Sequence, residues 1–109
     1  MDRGGLDDGA HRRALAEVEL AYKSQSRAER AMVQAETAAN AALKLGAMRW
    51  RIEALTVLAE AYLRLDPQEA SRVAKEALAT LGQRHFAGLD ENRIRSRCED
   101  VLHQASASS

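Results

Sequence analysis

The chain is poor in most of the residues that make function easy to read. It has one cysteine, one proline, four aromatic residues (Tyr22, Trp50, Tyr62 and Phe86) and no net charge. A lone Cys98 cannot close an internal disulfide, and with His11, His85 and His103 scattered along the chain it does not make a structural zinc site, so neither a metal nor a cofactor is expected. The cysteine usage fits a reducing, cytoplasmic compartment. Sixteen Lys and Arg balance sixteen Asp and Glu, which removes the global field that draws a basic protein to nucleic acid or to an anionic membrane. No run approaches the ~20 apolar residues of a membrane span. Met1 to Ala10 lacks the apolar centre of a signal peptide, and no membrane partner is expected.

What the chain does have is alanine, 22 residues of 109, within a 46% apolar composition. A core built from so few large side chains must be thin, with closely approaching backbones. The apolar spacing is helical throughout, without strict alternation or β-branched runs, and predicts an all-α protein in one domain over residues 10–102. Residues 1–9 (MDRGGLDDG) and 103–109 (HQASASS) read as flexible tails, too polar to offset their ordering entropy by burial.

Local punctuation predicts five helices, at about 10–25, 26–45, 47–65, 67–81 and 90–103. Ala14, Leu15, Val18, Ala21 and Tyr22 share the apolar face of the first. Ser26-Arg27-Ala28-Glu29 has the form of a capping box and predicts a new start at Ser26. Gly46 is a natural left-handed C-terminal residue for the second helix. Asp66-Pro67-Gln68-Glu69 supplies an N-cap, a proline at N1 and a box-completing glutamate for the fourth. Leu89 and Ile94 form a hydrophobic staple at the start of the fifth, whose stripe is Ile94, Cys98, Val101 and Leu102.

The helices repeat. Adding 40 to Ala14, Val18, Ala21, Tyr22, Ser26 and Glu29 gives Ala54, Leu58, Ala61, Tyr62, Asp66 and Glu69, and adding 40 again gives Ile94, Cys98, Val101 and Leu102. Ala54-Leu55-x-x-Leu58-Ala59-x-x-Tyr62, followed by Glu69-Ala70, Ala74 and Ala77-Leu78, resembles the tetratricopeptide repeat (TPR), with Leu45-Gly46 placed as in the longer-loop form found in bacterial regulatory proteins. The spacing exceeds the usual ~34 residues, the consensus glycine is Leu65, the closing proline is absent, and Glu19 stands where Ala59 stands in the second copy. The resemblance implies stacked antiparallel helical hairpins, two repeats plus a C-terminal capping helix, and a non-catalytic scaffolding or regulatory module.

By that resemblance the concave face carries Arg13, Ala16, Leu20 and Lys23, then Glu53, Thr56, Glu60, Leu63 and Arg64. The partner-binding residues expected from it are Arg13, Leu20, Lys23, Glu53, Thr56, Glu60, Leu63 and Arg64. Their mixed charge suits a peptide or helix of a partner protein. The family's clamp for a C-terminal carboxylate needs asparagines, and Asn40 and Asn92 lie outside this groove. Two and a half repeats with an uncovered outer face on the first hairpin point to a homodimer or a subunit of a larger assembly. Trp50 is expected to fill the gap between hairpins, with Tyr22 and Tyr62 as equivalent core residues.

Catalytic patterns are absent from the sequence. Cys98 belongs to an apolar stripe and reads as structural. Carboxylate pairs such as Glu17/Glu19, Glu53/Glu60 and Glu99/Asp100 are ordinary on solvated helix faces, and no glycine-rich phosphate loop occurs. Arginine provides the alternative: 13 of the 16 basic residues are Arg, and Arg12/Arg13, Arg49/Arg51 and Arg93/Arg95/Arg97 form edges on which a nucleic-acid-binding bundle could be built.

Overall fold

The computed structural model describes residues 4–108, with side chains from Arg12 onward. They form four helices and no strand: α1 (Gly4–Leu45), α2 (Met48–Leu65), α3 (Pro67–Leu81) and α4 (Glu91–Ser108). The division expected at Ser26 is corrected by a single α1 of 42 residues. Ser24 to Glu29 contains neither glycine nor proline, so the capping box permits a start without enforcing one. Glu29 accepts from Gln25 Nε2 at 3.5 Å, an i,i+4 contact inside a continuous helix.

The helix ends are set by local chemistry. At the end of α1 the Ala47 amide donates to the Ala42 carbonyl (2.8 Å) and the Gly46 amide to Leu43 (3.1 Å), a Schellman closure that needs φ of +70° at Gly46. The turn sends α2 back antiparallel along α1. Between α2 and α3 only Asp66 intervenes. Its carboxylate accepts from the Glu69 amide at 3.4 Å and Pro67 occupies the first helical position. Glu69, expected to complete a capping box, instead accepts from Arg72, whose Nε and Nη2 lie 2.9–3.1 Å away. That guanidinium holds the Glu69 carboxyl below its usual range.

The link from α3 to α4 buries Phe86, whose amide donates to Glu91 Oε1 at 3.3 Å. Gly88 has φ of +79° and faces the Arg49 guanidinium closely enough that a Cβ would collide with it. Asp90 caps α4 by accepting from the Arg93 amide at 3.1 Å. The tails expected at 1–9 and 103–109 are helical where described: α1 begins at Gly4 and α4 runs to Ser108, while residues 1–3 and 109 lie outside the described residues. Ala105 extends the stripe of Ile94, Cys98 and Val101 by one turn and is buried, which holds the end of α4 in place.

The core is centred on α2, which packs against α1, α3 and α4. Ile52, Leu55, Leu58 and Ala59 of α2 meet Ala70, Val73, Ala74 and Ala77 of α3, Cys98 and Val101 of α4, and Ala35 and Ala39 of α1. Alanine at these contacts lets helix axes approach toward the lower end of the usual 8–10 Å range. Thr56, assigned above to an open groove, is fully buried. Its hydroxyl donates to the Ile52 carbonyl at 2.8 Å and lies 3.6 Å from Cys98 Sγ, so its polar group is satisfied within α2.

Burial pushes the Cys98 thiol above its ordinary pKa, and no solvent reaches it. An aromatic disulfide reagent is therefore expected to leave native Cys98 unlabelled over hours at pH 8 and to label it stoichiometrically in urea. Rapid labelling of the native chain would contradict this burial.

Candidate protein-binding surface

The length of α1 creates the main surface feature. α2 has 18 residues against 42 in α1, so it can cover less than half of its neighbour. Ser24, Arg27, Ala28 and Ala31 line a notch with Val57, Glu60, Ala61 and Arg64, level with the last turns of α2. From Ala28 onward α1 has a buried row, Ala28, Ala35, Ala39 and Ala42. Between Arg12 and Lys23 every side chain is exposed. Residues 4–23 thus project as a helix about 30 Å long, and the molecule measures 71 × 27 × 22 Å.

The projecting part is not a polar spike. Leu15 (50% exposed), Val18 (64%), Leu20 (68%) and Tyr22 (74%) stand in solvent within two turns. Ala14, Val18, Ala21, Gln25, Ala28, Met32, Ala35, Ala39 and Ala42 alternate spacings of four and three, a heptad seam running through α1. Its second half is covered by α2, and its first half is bare. A clustered apolar row of this kind marks an association surface.

Structure and sequence reading diverge at several site positions. Arg13, Leu20 and Lys23 are exposed on the projecting helix, and at ~100° per residue Leu20 lies about 160° round the helix from Val18, away from the seam. Glu53 is half-buried, Leu63 packs partly into the core, and Arg64 is exposed beside the notch. Glu60 is engaged within the chain: Arg97 of α4 donates to both its carboxylate oxygens, Nε at 2.9 Å, and Glu60 in turn raises the Arg97 pKa. The eight expected residues therefore do not form one open groove. Tyr22, expected in the core, is exposed, whereas Tyr62 is half-buried with its hydroxyl donating to Glu36 at 3.4 Å. Burial, reinforced by Glu36, pushes the Tyr62 phenol up. Trp50 is also exposed, with the Arg49 guanidinium 5.7 Å from its ring centre, and fills no gap between hairpins. The seam residues Val18 and Ala21 were legible as apolar but not as uncovered.

Two members of the arginine edges are committed to structural work. Arg51 Nη1 donates to the Ala39 carbonyl at 2.9 Å and Nη2 to Glu76 at 2.5 Å, tying α1, α2 and α3 together. Arg97 is held by Glu60 as described. No group of three or more His, Cys, Asp or Glu among the described residues converges as metal ligands would. Among the described residues no helix is long and apolar enough to cross a membrane. No known protein family, curated protein or solved structure matches this chain.

Proposed function

We propose that the chain is a non-catalytic protein-protein interaction module of TPR-like type, with a scaffolding or regulatory role. In this reading α2, α3 and α4 form a platform, and the projecting half of α1 is the docking element. The observation that carries it is the exposed row Leu15, Val18 and Tyr22, which nothing among the described residues covers. An isolated helix of this length is marginal in water and gains most of its stability from a partner on its apolar face. Helix-in-groove or helix-on-helix recognition suits such a face.

The test is a photo-crosslinking amino acid placed at Val18, with Ala79 on the outer face of α3 as the control position. Irradiation in extracts of the source cells is expected to give a protein adduct from position 18 and none from position 79. The absence of any adduct from position 18, including one to another copy of the chain, would remove the proposal.

A further inference from the structure

Resting on that reading, we infer that the occupant of the projecting seam is a second copy of this chain, paired antiparallel along α1 about a two-fold axis near Leu15 and Ala16. Three features of the chain select this occupant over an unrelated helix.

The first is the continuity of the seam. An intramolecular interface already covers its second half, with α2 running antiparallel to α1. A partner helix that runs in the same direction as α2 continues that line of packing over the first half. The projecting half of another α1, reversed by a two-fold axis, does so.

The second is register. The last turns of α2 sit level with Ser24 to Ala28 of α1, and every side chain from Arg12 to Lys23 before them is exposed. A reversed copy of the same segment lies along it when seam residue faces seam residue, with Ala14 opposite Val18. The axis then falls at Ala16.

The third is charge. Arg12 and Arg13 precede this centre and Glu17 and Glu19 follow it, and none of the four makes an ion pair among the described residues. Reversal about Ala16 brings Arg13 within two residues of Glu17 of the second copy, twice over by symmetry, an offset of about 3 Å along the axis that the long arginine side chain spans. Both residues lie on the same flank of the seam, while Leu15 and Tyr22 widen the other flank as an apolar strip. A segment that is its own electrostatic complement under a two-fold axis specifies an isologous dimer.

Sedimentation equilibrium of the full chain tests this. At about 100 µM, a concentration at which even weak isologous pairs populate, the wild type is expected at twice its 12.0 kDa mass. Val18→Glu is expected to give the monomer with unchanged melting of the core. R13E and E17R singly should each weaken dimerisation about 10-fold, and the R13E/E17R double variant should recover it to within about 3-fold of wild type. A wild type that stays at 12.0 kDa overturns the inference, as does a Val18→Glu dimer of undiminished affinity or a double variant no tighter than the single ones. The crosslinking at Val18 separates the two levels: adducts only to other proteins overturn self-association and leave a docking helix, whereas no adduct of either kind overturns both.

Discussion

Leu58→Asp is expected to abolish cooperative unfolding, while Val18→Asp leaves the melting of the core in place. The two positions occupy the same place in the 40-residue frame, since 18 + 40 equals 58, and both read as the apolar face of a helix. Their surroundings differ. Leu58 is 5% exposed at the centre of α2, among α1 and α3 side chains, whereas Val18 is 64% exposed on the projecting half of α1. Asp at position 58 forfeits about 2 kcal/mol of side-chain burial and adds the larger cost of an unpaired carboxylate among apolar groups. The sum, about 5 kcal/mol or more, reaches the total stability of many small domains. Far-UV circular dichroism with urea titration measures both variants. At about 1 µM chain, where association contributes little, Val18→Asp should shift the core transition by under about 0.5 kcal/mol. A cooperative transition of wild-type midpoint in Leu58→Asp would show that α2 is not the centre of the core.

That pair of positions also shows what a sequence can and cannot carry. The helical class is legible because the 3.6-residue spacing of apolar residues is local. The start of α3 is legible because Asp66 and Pro67 act through bonds and sterics within one turn. The continuity of α1 is not: Ser26 and Glu29 have capping chemistry, but a cap only lowers the energy of a start, and without a helix breaker between Ser24 and Glu29 the chain remains helical. The uncovered seam was hidden for a related reason. Periodicity states which face is apolar and is silent on what lies against it, so Val18 and Leu58 look alike until α2 is seen to stop short. Thr56 misleads in the opposite sense, because a small polar residue at an outward-looking position satisfies its own hydroxyl on the preceding turn and enters the core. Glu60 and Arg97 stand 37 residues apart, a pairing no local pattern records.

The alanine content, the most visible property of the sequence, leads to the last expected result. Ala74 in the middle of α3 has no exposed surface and packs in the cluster formed with α2 and α4, whereas Ala79, on the same helix, faces solvent. Ala74→Leu keeps helix propensity nearly unchanged, so its effect isolates packing. Three added carbons have no room where axes approach over alanine, and the helices must separate or the leucine must leave its preferred rotamer. Such overpacking costs about 1–3 kcal/mol in ordinary cores. The upper end is expected here because Ala70, Val73 and Ala77 surround the site with equally little free space. For a domain of this size about 3 kcal/mol lowers the melting temperature by roughly 10–20 °C, while Ala79→Leu should move it by no more than about 2 °C. Equal melting temperatures for the two variants would mean that α3 is loosely packed and that the alanines reflect composition alone. A large difference would show that close helix approach, set by alanine, holds the platform beneath the projecting half of α1.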